Sequence, residues 1–424
     1  MISAFFASWA LFVGLFMIMI GNGLQGTLLG IRGNIEGFSP LEMSVVMSAY
    51  FVGFLFASHM APKLIQRVGH VRVFAALGST ISAVLILYPA LTEVWAWTIG
   101  RVVIGFCFCG VYITAESWIN DASTNETRGK ALSLYMVVQT AGISVAQYIL
   151  TLGDVSGFIL FIIPSVLVSL AFAPILLSAS TAPAFDTTKA LPLKTLIEAS
   201  PLACVGMFLM GGVFAAQFGM SAVYGTLEGL SVGQISLFVS VIYIAALLTQ
   251  YPIGWLSDRV DRRLVILGLS AAGGIGALLA AAFAGWYGAL LVAAAVLGGT
   301  SNPLYALLIA YANDYIARED MAAASGGLLF INGVGAILGP VVIGWLMGVG
   351  GPRMFWLVIA VLMLSLAAYA GWRMTRRSRA DIDPNAAASY QPLAVTTTPL
   401  VAEMAQEIYA DETLQQEEDR AASA

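Results

Sequence analysis

Apart from Glu42, Lys130 and Arg353 at the extreme ends of the long apolar runs of this sequence, only two strongly ionisable residues fall inside them, Arg101 and Glu116, both within residues 95–118. A charge at a bilayer centre costs at least about 2.5–3.5 kcal/mol, so such residues face a cavity or a partner. On a helix, a separation of fifteen residues at about 100° each leaves the two side chains roughly 60° apart, on one face. At about 1.5 Å per residue they stand roughly 22 Å apart, too far to pair. Gly105, Cys109 and Tyr112 continue the stripe between them. Such a face can contact an anion at Arg101 and carry a proton at Glu116. The plainer readings are snorkelling of Arg101 to a membrane surface, and pairing of Glu116 with Arg128 or Lys130 at an inner gate.

Neutral polar residues extend the same chemistry. Asn22, Gln25, Gln139, Gln147, Gln217, Asn302 and Asn332 sit in apolar runs, where each can line a cavity or bridge two helices. Tyr50 and Tyr243 have a similar case. Nucleophilic or metal chemistry finds no set of residues. Cys107, Cys109 and Cys204 lie in apolar runs without disulfide or metal spacing. His59 falls near a span end, His70 is expected in a solvated loop, and no His-Glu-x-x-His occurs. An enzyme is therefore not expected, and neither is a metal or cofactor.

The elements that must position these residues follow from composition. Of 424 residues, 59% are hydrophobic and only 10% charged, against about 25% charged in a soluble domain. Lipid is the solvent that suits such a chain. Runs of roughly 20 apolar residues span a bilayer, and only as helices. Twelve are expected: 5–29, 41–61, 73–91, 95–118, 130–151, 158–178, 200–222, 232–254, 264–283, 287–311, 322–347 and 353–372. With both termini in the cytoplasm, sixteen of the nineteen Lys and Arg fall on the inner side, as the positive-inside rule expects. Residues 179–199 read as a cytoplasmic linker between bundles 1–178 and 200–372. Residues 373–424 read as a mostly disordered, acidic cytoplasmic tail. Nothing in the charge pattern suggests nucleic acid as a partner.

The chain also repeats itself at an offset of 192 or 193 residues. Gly33-Asn34-Ile35-Glu36-Gly37-Phe38-Ser39 answers to Gly225-Thr226-Leu227-Glu228-Gly229-Leu230-Ser231. In the same register Gln25 matches Gln217, Tyr50 matches Tyr243, Gly105 matches Gly298 and Tyr112 matches Tyr305. Asn120-Asp121 matches Asn313-Asp314, and Gly142 matches Gly335. Parallel repeats about an axis along the membrane normal are a transporter architecture, with the substrate site between the halves.

The loop Gly254-Trp255-Leu256-Ser257-Asp258-Arg259-Val260-Asp261-Arg262-Arg263 and its partner Gln66-Arg67-Val68-Gly69-His70-Val71-Arg72 resemble the loop signature of the major facilitator superfamily. Gln66 stands where that signature has Asp, and Asp261 where it has Gly. Ala115-Glu116-Ser117, Thr127-Arg128-Gly129, Gln250-Tyr251-Pro252-Ile253-Gly254 and Pro303-Leu304-Tyr305 resemble the YcaD-type branch of bacterial inner-membrane transporters. The resemblance covers nearly all of residues 1–372. It implies an all-α membrane protein of twelve transmembrane helices in two six-helix pseudo-symmetric bundles, rocking about a shared site. It places Asp258 by the start of the fifth helix, near Gly129-Lys130-Ala131, with Arg259 reaching Asp314 and Arg67 reaching Asp121. In the same family the pair Gln25 and Gln217 face each other across the cavity, and a fourth-helix Arg motif like Arg101-Val102-Val103-Ile104-Gly105 is linked to proton coupling or anion contact.

The expectation is a monomeric secondary transporter in a bacterial inner membrane. It moves a small neutral or monoanionic organic solute, with proton coupling. Substrate or coupling residues are Arg101, Glu116, Gln25, Gln217, Tyr50, Tyr243, Tyr112 and Asn302; gating residues are Asp258, Arg259, Asp314, Arg67, Asp121 and Arg128. Drug efflux is disfavoured by a fifth helix without the Gly-Pro of such antiporters, and a sensor on the carrier fold, acting through its tail, is the other alternative.

Overall fold

The computed structural model describes residues 2–121, 125–176, 191–316 and 320–376, without the side chains of 2–8, 120–129, 174–176 and 322. Most of the expected linker and all of the tail beyond Arg376 lie outside the described residues. The first half comprises α1 (Ile2–Ile35), α2 (Pro40–Val68), α3 (His70–Leu87), α4 (Val94–Asp121), α5 (Asn125–Leu150) and α6 (Ile159–Leu176). A short helix α7 (Leu193–Ala199) follows. The seventh span is α8 (Pro201–Ala215), a five-residue π turn (Ala216–Met220) and α9 (Ser221–Leu227). The second half continues with α10 (Val232–Ser257), α11 (Arg262–Ala282), α12 (Tyr287–Asn313), α13 (Met321–Gly350) and α14 (Met354–Arg376). Eleven of the spans are long and apolar enough to cross a membrane, and α6 supplies a shorter apolar stretch, Ile159–Ala173.

The repeated sequence motif is a helix stop and restart. Gly37 and Gly229 adopt φ of 82° and 73°, a conformation that a side chain resists. The amides beyond them, on Phe38 and Leu230, fold back onto the carbonyls of Gly33 and Gly225 at 2.8 and 2.9 Å, closing the helix end. Ser39 and Ser231 then open the next helix, each in a reciprocal capping box with Glu42 or Gln234. A serine cap is worth about 1 kcal/mol. Identity at the offset survives where chain direction must reverse within a few residues.

Packing repeats as well. On α4, Gly105 lies against the carbonyl of Tyr50 on α2; on α12, Gly298 lies against the carbonyl of Ile242 on α10. On α5, Gly142 lies against the Phe16 carbonyl of α1; on α13, Gly335 lies against the Phe208 carbonyl of α8. Partner residues 50 and 242, and 16 and 208, are offset by 192, against 193 for the glycines themselves, so the crossings recur within the same narrow register. Without a hydrophobic drive between helices in lipid, such close backbone contact is what binds them.

Several elements differ from expectation. Helix α2 runs to Val68 and α13 to Gly350, beyond the apolar runs, because they end where Gly69 and Gly351 turn the chain at φ 89° and 82°. Helix α3 begins earlier than expected, at His70, which is buried and lies against Trp118 with ring centres 6.2 Å apart. It is not a solvated loop residue. Helix α7 lies inside the segment expected to be linker, with Leu196 buried against Gly327.

Candidate functional site

The halves meet tightly near one face, the one bearing the turns at 36–39 and 228–231. There Gly30 abuts Ala222, Gly219 abuts Met47, and Gly344 abuts Ser44 and the Pro40 carbonyl. The Ser48 hydroxyl donates to the carbonyl of Ile337. On the same face Arg32 pairs with Glu36 at 2.6 Å and donates to the carbonyls of Val155 and Ser156. Asp154 in that turn has its carboxyl held below the usual range by hydrogen bonds from Ser156.

Behind this seal lies a cavity lined from both halves. Arg101 sits at its polar wall, 4% exposed. Its Nη1 donates to Gln25 Oε1 at 2.8 Å, Gln25 Nε2 donates to Asn22 Oδ1 at 3.1 Å, and Asn22 Nδ2 donates to the Tyr112 hydroxyl at 2.7 Å. The guanidinium carbon stands 4.8 Å from the centre of the Tyr50 ring, a cation–π distance. Across the cavity, Gln217 donates to the Ser301 hydroxyl at 2.9 Å, and Asn332 to the Met207 carbonyl at 2.9 Å. Phe51, Phe54, Phe214 and Phe218 supply apolar wall. The lining continues along Leu55 and Ser58 of α2 and Leu329 of α13 toward the face bearing the described chain ends, where His59 is exposed.

Five residues of the expected site therefore line one cavity: Arg101, Gln25, Gln217, Tyr50 and Tyr243. Tyr112 reaches it through Asn22. Asn302 lies in a smaller neighbouring pocket between α5 and α10, with Gln139 and Gln250. Tyr243 and Phe218 touch both pockets, their rings 5.3 Å apart. Glu116 is fully buried away from the cavity wall, where the Tyr135 hydroxyl of α5 donates to it at 2.8 Å. Sequence reasoning missed Ser221, Ser301, Tyr135 and the π turn that carries Gln217. Phe51, Phe54, Leu55 and Ser58, three to four residues apart, carried a helical signal beside Tyr50.

The gating assignment changes. Arg262, not Arg259, reaches Asp314, with Nη1 2.5 Å from Oδ1, and it also holds Asp258 at 3.4 Å. Arg259 stays exposed, its guanidinium 4.2 Å from the Trp255 ring centre. The cause is position: Arg262 opens α11, whose start abuts the end of α12, whereas Arg259 sits in the preceding turn. Arg67 is exposed at the end of α2. The side chains of its expected partner Asp121 and of Arg128 lie outside the described ones.

Comparison with known proteins gives the family. The family model described as Major Facilitator Superfamily matches residues 11–231 and 202–405. The chain is 26% identical over 370 residues to the uncharacterized MFS-type transporter YcaD of Escherichia coli K12, covering 84% of this chain and 94% of that protein. It is 25% identical over 374 residues to YcaD of Salmonella arizonae, covering 85% and 95%. Among solved structures, the nucleoside transporter NupG superimposes with a TM-score of 0.74 at 16% identity, over 88% of this chain and all of that one. A bacterial homologue of the lysosomal transporter Spinster gives 0.74 at 14% identity, over 89% and 98%. The paired helix stops, the mirrored glycine crossings and the cavity between halves thus have their explanation: the chain belongs to the Major Facilitator Superfamily, as a membrane transporter similar to its YcaD-type branch.

Proposed function

We infer that the protein is a monomeric secondary carrier that moves a small organic solute across a bacterial inner membrane by alternating access, coupled to protons. The observation that carries this reading is the cavity, built from both halves and sealed on one face by Gly30, Gly219, Gly344 and Ser48. One chain encloses it. Exposed Lys63, Arg67, Arg72, Lys130, Lys194, Arg259 and Arg376 on the open side support a cytoplasmic assignment for that side and for both termini. The conformation is then inward-facing. Glu116 is the proton site in this reading, since a buried carboxylate held by a tyrosine can take up a proton locally. Arg101 contacts the solute.

Cysteine accessibility tests the reading. Ser58→Cys, in the open lining, should react with an impermeant maleimide from the cytoplasmic side, and Ser48→Cys, in the seal, should react from the opposite side in the alternate state. Reversing a pH gradient should shift reactivity from one to the other. Reactivity confined to one side under every gradient would remove alternating access. Glu116→Gln should abolish the pH dependence of the exchange; an unchanged dependence would remove Glu116 from coupling.

A further inference from the structure

Resting on the carrier reading above, we propose that the solute is a small organic monocarboxylate with an apolar body, and that its carboxylate is the counter-ion of Arg101. Arg101 is buried on the cavity wall, yet its partners are neutral: the Gln25 carboxamide and the face of Tyr50. Its Nε is buried beside the cavity with no hydrogen-bond partner. Among the described residues no Asp or Glu lines the cavity. Holding a guanidinium out of water carries a cost that an anion accepting from it with good geometry offsets, and a carboxylate matches two of its donors side by side. Among the described residues of the cavity no protein carboxylate does so, and the carboxylate of the solute takes that role.

The charge of the solute follows from broken symmetry. The offset of 193 that pairs Gly105 with Gly298 carries Arg101 onto Ala294. Gln25, which receives Arg101, carries onto Gln217, which holds Ser301 instead. The repeat thus supplies hydrogen bonding on both walls but a cation on only one. A dianion would keep an uncompensated charge in the membrane, and a cation would meet the guanidinium. The body of the solute follows from the remaining wall, where Phe51, Phe54, Phe214 and Phe218 offer aromatic surface. The Tyr50 ring lies 4.8 Å from the guanidinium carbon and lines the same cavity as those rings, so a carboxylate held at Arg101 has aromatic surface within the same cavity for its apolar body.

Benzoate, benzamide and benzylammonium share a body and differ in charge, which makes them the probes. A ligand that binds the folded state raises the unfolding midpoint by mass action. Thermal unfolding of the purified full chain should show a saturating upward shift with benzoate, with benzamide and benzylammonium at least about tenfold weaker. Arg101→Gln should weaken benzoate about ten- to a hundredfold and leave benzamide unchanged. Arg101→Lys, which keeps the charge without the fork, should fall between. Should these variants fail to fold, the three probes on the unaltered protein still decide. Benzamide or benzylammonium binding as well as benzoate, or no benzoate shift at tens of millimolar, overturns the monocarboxylate. Either result with two-sided cysteine accessibility leaves the carrier standing; one-sided accessibility removes the carrier itself.

Discussion

Asp314→Ala should lower stability by about 3–5 kcal/mol, the usual cost of stripping one partner from a buried ion pair. Asp314 and Arg262 are 6% and 10% exposed, with Nη1 and Oδ1 2.5 Å apart. The remaining carboxylate, Asp258, is 36% exposed and 3.4 Å away, too distant and too wet to compensate. Arg262 also reaches the Ala310 carbonyl in the last turn of α12, where a cation is favoured by the helix dipole. The pair therefore ties the start of α11 to the end of α12. The double variant Arg262→Met, Asp314→Leu should recover most of the loss, because it removes the stranded charge along with its partner. Arg259→Ala should cost less than about 1 kcal/mol, as an exposed stack on Trp255. Unfolding midpoints in detergent would measure all three; an Asp314→Ala variant no less stable than Arg259→Ala would refute the assignment of Arg262.

That case also marks the boundary of what the sequence makes legible. Span number, the two halves and the reversals at Gly37 and Gly229 are written in composition and in the repeat, because lipid demands apolar helices and tight reversals demand particular residues. Polar residues in apolar runs are equally visible, which is why Arg101, Gln25, Gln217, Tyr50 and Tyr243 could be brought together beforehand. Which apolar face looks at the cavity is not visible, since lipid and protein interior are alike apolar to a side chain. Helix phase alone put Arg101 and Glu116 on one face; the neighbours of α4 change along its length, so Arg101 meets α1 and α2 while Glu116 meets Tyr135 of α5. The π turn at Ala216–Met220 adds a residue to the helical ladder without a sequence marker, and it carries Gln217, which donates to Ser301. That Asp314 meets Arg262 and not Arg259 in this structure has a related reason. Arg259, Arg262 and Arg263 share one motif, and only the place where α11 begins decides which of them reaches α12.

The glycine crossings yield the other large effect, and they separate stability from function. A methyl group at Gly105 would collide with the carbonyl oxygen of Tyr50, and one at Gly298 with that of Ile242. Neither oxygen can swing aside as a side chain end would, so α2 and α4, or α10 and α12, must part. Gly105→Ala and Gly298→Ala should each cost about 2–4 kcal/mol, at or above the usual range for overpacking. Gly268, exposed within α11 and with open space around it, provides the contrast: Gly268→Ala should be neutral or stabilise by up to about 1 kcal/mol through helix propensity. Beyond stability the two damaging variants should differ. Gly105 lies one turn from Arg101 and packs on the very residue whose ring carries the guanidinium. Parting α4 from α2 therefore pulls Arg101 off Tyr50. Gly298 has no such charge nearby, since Ala294 stands in the place of Arg101. At temperatures where both remain folded, Gly105→Ala should lose benzoate binding about tenfold while Gly298→Ala keeps it. Equal losses in both would mean that the crossing on α4 does not position the arginine, and wild-type unfolding midpoints in both would mean that the helices are not in backbone contact at all.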